Sequence, residues 1–398
     1  MSQRQISNVI FISCITLVSF SFISLIFPGL LVESSNNIIQ KDVNLFELGT
    51  WSIVLLSTNI IFIISFILYK KNKIPNKISK IFQYIEKNDI SKKTSLIILI
   101  LLFFVYVSFT IDEFGREELE FGDYQGASEY AKNFEFKDTI SIEPQIRYFL
   151  LHISYVAFDN IRILPFVASI SLLLITYLLT LELTKKRVSA VIAFTVLMQS
   201  NLFLIFDTTA TYENFWTGFY FLSLYLILRK PVLSPISFIL GMMSKPLVIT
   251  YLPISLFAIS NKKISKRNKI ILLVSYGIII SLVLIAFSTN NLIHTHSLDF
   301  DISRLIASFN EMGNSLRFDS LILILIIPTL IILQKKSGEI RNNINIVLVG
   351  LSFVILSQPI MYSLIGMTLQ PYRFIPFIVF SAIAIGMIFS NSKMKDQE

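Results

Sequence analysis

Ionisable side chains are scarce in this sequence, and those that could do chemistry fall in a few polar stretches. The segment from Asp112 to Glu143 holds ten of the chain's 26 acidic residues. Carboxylates suit activation of a hydroxyl nucleophile, whereas lysine and arginine suit an anionic leaving group such as phosphate. The candidates for such chemistry are Asp112, Glu113, Asp123, Asp207, Glu213, Lys245, His294, His296 and Arg373. This set is what group transfer from a phosphorylated donor would need.

The elements that carry these residues are strongly apolar. The chain has 398 residues, of which 54% are hydrophobic and 15% charged, and its mean hydropathy is +0.69. Soluble domains are usually about a quarter charged. Inside a bilayer every backbone polar group needs an internal partner, so a long apolar run such as residues 8–33 is expected to be helical. The sequence therefore predicts an all-α polytopic membrane protein, for which a phosphorylated donor would be a lipid.

The charge balance fits the same class of protein. The net charge is +8, which in a soluble protein would suggest a nucleic-acid partner. In a membrane protein it is explained by lysine and arginine in the cytoplasmic turns, so no nucleic-acid partner is expected. The single cysteine, Cys14, lies in an apolar run, and it excludes a disulfide framework or a cysteine metal cluster.

Alternating basic and acidic connections predict about twelve transmembrane helices with both termini in the cytoplasm. The basic segment 70–93 and the later basic turns all fall on one side of the membrane in this arrangement. The predicted spans are residues 8–33, 51–69, 95–111, 163–183, 188–206, 214–228, 232–243, 247–260, 270–287, 320–334, 344–364 and 374–390. We divide the chain into two N-terminal spans with a basic loop (1–94), a catalytic module (95–390) and a cytoplasmic tail (391–398).

The acidic loop 112–162 is predicted to lie on the outer face and to carry interfacial helices. Its segment FGDYQGASEYAKNF, residues 121–134, has an amphipathic helical pattern. The apolar run QIRYFLLHISYVAF, residues 145–158, is too short to span a bilayer but suits a helix at the interface. If it did cross, all later spans would be inverted, and the later basic turns argue against that.

Several short motifs follow one another in a fixed order from residue 95 to 390. They are the acid helix with Asp123-Tyr124 and Tyr130-Ala131, then EPQIRYFLLH, NIRILP with Arg162 and Pro165, TKKR, FDTTATYENF with Asp207 and Glu213, MMSKPLVITYLP with Lys245, and QPYRFIPF with Arg373. In this order the chain resembles the GT-C superfamily of polyprenyl-phosphate-sugar-dependent glycosyltransferases. Within it, the chain looks most similar to the protein O-mannosyltransferase and lipid A aminoarabinose transferase branch.

This resemblance implies an integral-membrane glycosyltransferase of the cell membrane. It would move a monosaccharide, mannose-like, from a polyprenyl or dolichyl phosphate to a glycan, lipid or protein acceptor on the extracytoplasmic face, with inversion. The general base would be Asp123, or else Asp112 or Glu113. Two departures from the family's pattern leave the choice of base open. Two spans precede the acidic loop where the family commonly has one, and the family's acid usually follows its span closely, whereas Asp123 lies eleven residues beyond Asp112.

The resemblance also implies roles for residues outside the acidic loop. Lys245 and Arg373 would bind the lipid phosphate, and Asp207 or Glu213 would orient hydroxyl groups of the sugar or acceptor. A contribution of Arg147 to phosphate binding competes with simple interfacial anchoring, which applies to Arg162 as well.

No cofactor is required by this scheme, although assistance by a divalent cation stays open. The pair His294 and His296 has the spacing of two metal ligands on an extended segment, but no third ligand is evident nearby, which favours a solvated loop.

Two other classes of protein share many spans and buried charges. A transporter or flippase for a lipid-linked or anionic solute would show an internal inverted repeat or charges near span centres, and neither is evident in this sequence. A polysaccharide polymerase or ligase would favour paired arginines in an outer loop, for which Arg304 and Arg317 are a weak match.

Overall fold

Apolar runs of this length can satisfy their backbone only as helices, and the described part of the chain contains no β-strand. The structure, a computed structural model, describes residues 3–30, 44–71, 73–116, 118, 123–135, 146–210, 213–262, 264–289, 300–336, 338, 340–365 and 370–390. Every one of the twelve predicted spans contains a helix.

The described residues form α-helices that we number α1 to α18. The first nine are α1 (Gln3–Ser21), α2 (Ile23–Ile26), α3 (Thr50–Lys70), α4 (Asn76–Lys87), α5 (Lys92–Thr110), α6 (Asp123–Lys132), α7 (Ile146–Phe158), α8 (Ile163–Thr184) and α9 (Arg187–Met198). The others are α10 (Asn201–Phe206), α11 (Glu213–Arg229), α12 (Ser234–Ser244), α13 (Leu252–Asn261), α14 (Lys266–Thr289), α15 (Ile302–Leu316), α16 (Ser320–Lys335), α17 (Ile340–Ile365) and α18 (Ile375–Met387). Short 3-10 helices are Ile111–Gly115, Pro231–Leu233, Pro246–Tyr251 and Pro371–Phe374.

Helix length and composition identify an all-α membrane protein. Five stretches of the described chain are long and apolar enough to cross a bilayer, and they are Arg4–Ile26, Thr50–Tyr69, Lys92–Gly115, Ile163–Thr184 and Ile340–Leu364. Shorter apolar helices of 10 to 17 residues account for most of the other predicted spans. The count of twelve crossings stays a prediction, because a helix of this length reaches across the hydrocarbon only with its flanking residues.

Helix α18 forms the centre of the bundle. All of its residues are buried, and it packs against α8, α9, α16 and α17. A helix that is apolar all round is expected to be enclosed in this way. Its closest neighbour is α9, because a Cβ atom on Gly386 would lie 2.5 Å from the backbone oxygen of Ser189 and 3.0 Å from Cβ of Ala193. The lack of a side chain at Gly386 therefore sets how closely these two helices approach.

The basic turns that were predicted for the cytoplasmic side meet at one end of this bundle. The buried ammonium of Lys186 donates hydrogen bonds to the carbonyl oxygens of Glu86 (2.7 Å) and Phe389 (2.8 Å). Lys336, also buried, donates to the carbonyl oxygen of Ser390 (2.7 Å) and lies 3.8 Å from the Glu86 carboxylate. The two lysines thus bind carbonyl groups at the C-terminal ends of α4 and α18, where cations are favourable.

The acidic loop lies at the opposite end of α8. Arg162 immediately precedes this 22-residue helix and Lys185 immediately follows it, which separates the two ends by about 33 Å at 1.5 Å per residue. The two helices predicted within the loop are present as α6 and α7, and they pack against each other. His152 of α7 contacts the carbonyl oxygen of Ala131 of α6 through Nδ1 at 2.9 Å.

The N-terminal helices pack on the outside of the bundle rather than apart from it. Helix α1 packs against α15, α16 and α17, and α3 packs against α16. Helices α3 and α5 leave most of their apolar side chains exposed, as expected of helices that face lipid.

The contact between α9 and α18 predicts an unequal response to two glycine substitutions. We expect Gly386→Ala to destabilise the protein by about 1–3 kcal/mol, because the added methyl group must push two buried helices apart. Gly277→Ala in α14 is the matched control, since a Cβ atom there meets nothing within 4 Å and alanine favours helix. Thermal unfolding of both purified variants in detergent measures the difference, and equal unfolding temperatures would contradict the packing described.

Candidate functional site

Two groups of polar side chains adjoin at the end of the bundle that carries the acidic loop. The first, which we call the carboxylate cluster, contains Tyr106, Glu113, Glu118, Arg162, Asp207 and Thr208. The second, which we call the cation cluster, contains Arg147, Glu213, Trp216, Lys245, Tyr372 and Arg373. Both form where helices end or begin, so the polar groups are gathered without interrupting a long apolar helix.

Asp207 is at the centre of the carboxylate cluster. It follows α10 directly and is fully buried, and its Oδ2 accepts a hydrogen bond from the hydroxyl of Tyr106 at 2.6 Å. Its backbone oxygen accepts from the hydroxyl of Ser169 at 2.6 Å, and Ser169 in turn accepts from the amide of Asn214 at 2.7 Å. The chain after α10 is therefore fixed against α5, α8 and α11.

Thr208 connects Asp207 to the acidic loop. Its hydroxyl donates to Glu113 Oε2 at 2.6 Å and accepts from Arg162 Nη1 at 3.2 Å. Arg162 is buried, and its Nε lies 3.2 Å from the carboxylate of Glu118 and donates to the backbone oxygen of Arg116 at 3.2 Å. Arg162 therefore holds the acidic loop against the start of α8, which a residue that only anchors in the interface would not do.

The buried carboxyl of Asp207 keeps its proton near neutral pH. Burial, with the negative charge of Glu113 nearby, raises the pKa of Asp207 to about 8, although the hydrogen bond from Tyr106 opposes this. Oδ1 of Asp207 is buried and has no hydrogen-bond partner among the described residues. Asp207 is therefore a buried acid whose neutral form is favoured by its surroundings.

Glu118 is the other buried acid of this cluster. Burial raises the pKa of the Glu118 carboxyl, while the positive charge of Arg162 lowers it. The ion pair therefore compensates a charge that the surroundings alone would not tolerate.

The cation cluster is built around a buried ion pair. Glu213 is the first residue of α11, and Lys245 lies between α12 and the 3-10 helix Pro246–Tyr251. Lys245 has extended backbone geometry, as expected of a residue that precedes proline. Its ammonium group contacts Glu213 Oε1, and the indole N–H of Trp216 donates to Glu213 Oε2. Glu213 is 0% exposed and Lys245 is 6% exposed, so the pair is shielded from water.

Aromatic rings enclose the ammonium group of Lys245. Its Nζ lies 5.6 Å from the ring centroid of Trp216 and 5.4 Å from that of Tyr372, within the range of cation–π attraction. The Trp216 ring stacks on Tyr251 with centroids 5.8 Å apart. Tyr372 also meets Phe206 edge-on with centroids 5.6 Å apart, and Phe206 directly precedes Asp207, so this ring joins the two clusters.

Two arginines add positive charge to the same place. Burial lowers the pKa of Lys245 to about 8, while the carboxylate of Glu213 raises it and the charges of Arg373 and Arg147 lower it further. Arg373 reaches the cluster from the 3-10 helix Pro371–Phe374 and Arg147 from α7. Three cations and one carboxylate therefore act on one another here, among the residues that the structure describes.

The structure brings together most, but not all, of the residues singled out in the sequence. Lys245, Arg373, Arg147 and Glu213 share the cation cluster. Asp207 and Glu113 share the carboxylate cluster, whereas Asp112 is exposed in the 3-10 helix Ile111–Gly115 and makes no described contact with it. Asp123 begins α6, but its side chain, like all of residues 290–299 with His294 and His296, lies outside the described residues.

Sequence reasoning missed Tyr106, Glu118, Trp216 and Tyr372. Tyr106 and Tyr372 are uncharged and lie among apolar residues in the sequence, so nothing marks these tyrosines as site residues. Trp216 could have been found, because it lies three residues after Glu213 on the same face of α11. Glu118 was one of many acids in its loop, and nothing in the sequence pairs it with Arg162.

No group of three or more histidine, cysteine, aspartate or glutamate side chains with the geometry of a metal site occurs within the described ranges. Assistance by a divalent cation therefore stays a prediction. No model of a known protein family, no curated protein and no solved structure matches the chain. The site must accordingly be interpreted from its own chemistry.

The raised pKa of Asp207 predicts a pH dependence of stability. The folded protein keeps a proton that the unfolded carboxyl loses near pH 4, so the wild type should lose about 1–3 kcal/mol of stability between pH 5 and pH 8 through this group. We expect Asp207→Asn to remove this loss, because the amide can accept from Tyr106 and has no proton to lose in this pH range. Thermal unfolding at pH 5.5 and 8.5 measures it.

Asp112→Asn is the control for this experiment, since the side chain of Asp112 is exposed on the same loop. It should leave the pH dependence of the unfolding temperature unchanged. If the unfolding temperature of Asp207→Asn still falls between pH 5.5 and pH 8.5, the group that binds the proton is not Asp207.

Proposed function

We propose that the protein is an integral-membrane glycosyltransferase that takes a monosaccharide from a polyprenyl or dolichyl phosphate and transfers it to a hydroxyl acceptor. The observation that carries this proposal is the adjacency of a cluster of carboxyl groups to a buried cation cluster at one end of a bundle of apolar helices. The first group suits removal of a hydroxyl proton and the second suits a phosphate leaving group. The resemblance of the motif order to the GT-C superfamily supports the same reaction.

In the proposed step, the acceptor oxygen attacks the anomeric carbon of the sugar from the side opposite the phosphate. The new bond joins this oxygen to the anomeric carbon, and the bond between that carbon and the phosphate oxygen breaks, which inverts the configuration. The hydroxyl proton passes to a carboxylate of the acidic loop. The electron pair of the broken bond stays on the polyprenyl phosphate, so no external oxidant, reductant or nucleotide is needed.

Glu113 is the base that the described geometry favours. Its carboxylate is half-buried, accepts a hydrogen bond from Thr208 and acts electrostatically on the carboxyl of Asp207. Asp112 is exposed and would have to act from solvent. Asp123 at the start of α6 remains the alternative suggested by the family resemblance, so the three acids need to be separated by experiment.

The cation cluster would stabilise the leaving phosphate. The donor is a phosphate diester with one negative charge, and loss of the sugar leaves a monoester whose charge approaches two. Lys245, Arg373 and Arg147 provide fixed positive charge where this second charge develops, in a place shielded from water. Because the phosphate is itself a weak base, positive charge suffices without a strong general acid.

The lipid tail of the donor would run along the outside of the bundle, where apolar helices face the bilayer. Membrane lipids are thus direct partners of the enzyme. We place both clusters on the extracytoplasmic side and the termini in the cytoplasm, because the opposite end of the bundle collects Lys186, Lys336 and the other basic turns.

The proposal predicts loss of sugar transfer in variants of the base and of the cation cluster. We expect Glu113→Gln to lower the transfer rate about 100-fold or more, because the hydroxyl proton loses its acceptor. Lys245→Met should lower it similarly, while Asp112→Asn should leave it nearly unchanged. The measurement is transfer of labelled sugar in membranes, from a panel of polyprenyl-phosphate sugars that includes mannose.

The same assay distinguishes the alternatives. Loss of transfer in Asp123→Asn with retention in Glu113→Gln would keep the function and move the base to α6. No transfer from any donor, with a wild-type protein shown to be folded, would refute the glycosyltransferase and favour a transporter or a polysaccharide polymerase or ligase.

The proposed sidedness can be tested through the single cysteine. With Cys14 replaced by serine, one cysteine is introduced at Glu129 on α6 or at Lys185 after α8, both exposed positions. We expect a membrane-impermeant maleimide to label Glu129→Cys in intact cells, but Lys185→Cys only after permeabilisation, because basic turns stay in the cytoplasm. The reverse labelling pattern would place the clusters inside.

A further inference from the structure

Glu213 is held as a bound anion would be held. One of its oxygens contacts the ammonium group of Lys245, and the other accepts the indole N–H of Trp216. Arg373 and Arg147 bring further positive charge to Lys245. Charged donors and N–H groups of this kind bind the oxygens of a phosphate as readily as those of a carboxylate. The side chain of Glu213 therefore occupies the position in which a phosphate would find its donors.

A second anion cannot simply be added beside this pair. Both members are buried, and breaking a buried ion pair without replacement is strongly unfavourable because it leaves an uncompensated charge. Exchange of one anion for another avoids this, since Lys245 and Trp216 keep a partner throughout. The ion pair therefore favours a phosphate that takes the place of Glu213 at Lys245 and Trp216.

We infer that Glu213 is an internal counter-ion that occupies the anion site in the absence of substrate, and that a phosphate monoester displaces its carboxylate from Lys245 and Trp216. The identification of this monoester with polyprenyl phosphate rests on the proposed function. The exchange itself does not, because it follows from the ion pair and its donors.

The displaced carboxylate has a favourable place to go. Glu213 is the first residue of α11, so its side chain can turn toward the unpaired backbone N–H groups of its own helix. The positive end of the helix dipole stabilises an acid there. The proposed exchange would therefore move the carboxylate toward the start of its own helix.

The charge of the site selects among phosphates. A diester carries one negative charge, as Glu213 does, so its exchange leaves the electrostatic balance with Lys245, Arg373 and Arg147 unchanged. A monoester brings a second negative charge to the same three cations. We therefore expect the site to bind the product of the transfer, a lipid phosphate monoester, more tightly than the diester donor. The monoester should accordingly inhibit sugar transfer.

Tryptophan fluorescence provides a direct test, since the chain has two tryptophans and one of them is Trp216. In a Trp51→Phe protein all tryptophan emission comes from the site. We expect geranyl phosphate to change this emission, its methyl diester to bind more weakly, and geraniol to have no effect. In Glu213→Gln, which keeps the size of the side chain but not its charge, the monoester should bind about ten-fold more tightly, because no internal anion competes with it.

Glu118→Gln is the charge-matched control, because it removes a buried acid that pairs with Arg162 in the neighbouring cluster. Unchanged affinity in this variant supports exchange at Glu213. An equal increase in both variants would show a general effect of net charge and overturn the inference, as would weaker binding in Glu213→Gln. If Glu213→Gln does not fold, Glu213→Asp, whose shorter carboxylate reaches Lys245 less well, should show the same direction of change.

Two further arms separate the possible outcomes. Inorganic phosphate that binds in a Glu213-dependent manner supports the exchange for free phosphate, and tighter binding of geranyl phosphate adds recognition of the lipid. Monoester binding of the expected pattern without any sugar transfer would refute the proposed function and leave the exchange intact. Sugar transfer by a protein whose affinity for the monoester does not change in Glu213→Gln would support the proposed function and overturn the exchange.

Discussion

The buried contact between Lys245 and Glu213 is the constraint on which the arrangement of the site depends. Neither charge could stand alone in the buried site, since the cost of burying an isolated ion is several kcal/mol. Their pairing requires that the start of α11 and the end of α12 meet, and the aromatic rings around Lys245 bring in Tyr372 from the segment before α18. Through Tyr372 and Phe206, the same contact fixes the carboxylate cluster beside the cation cluster. One ion pair thus makes three distant parts of the chain converge.

Much of the fold could be predicted because a bilayer leaves few choices. The apolar runs had to be helices, and the amphipathic pattern of residues 121–134 and the short apolar run 145–158 predict α6 and α7. The sequence also singles out Lys245, Arg373 and Glu213, which act on one another in the structure, although it groups Glu213 with Asp207 rather than with Lys245. Residues that are costly to bury and lie between apolar runs are easily recognised in such a sequence.

The pairing of those residues could not be predicted, because it depends on contacts across long stretches of sequence. Thr208 and Glu113 are 95 residues apart, and Tyr106 and Asp207 are 101 apart. Arg162 was interpreted as an interfacial anchor because its partner Glu118 is one of ten acids in the loop, with no spacing that distinguishes it. The contact between Glu213 and Lys245 is equally absent from the sequence pattern, because the two residues are 32 positions apart. The packing of the helices determines each of these contacts, and it cannot be read from the sequence pattern.

The central position of α18 has a consequence for how the bundle assembles. This helix follows in the sequence every helix that packs around it, so α8, α9, α16 and α17 are synthesised before the element that fills the space between them. Because α18 is apolar on all sides, it can rest in lipid as an independent helix before it docks. Its docking brings Tyr372 and Arg373 to one end of the molecule and the carbonyl groups of Phe389 and Ser390 to the lysines at the other. The contacts of Tyr372 at one end and of the Phe389 and Ser390 carbonyl groups at the other therefore form in the same late event of assembly.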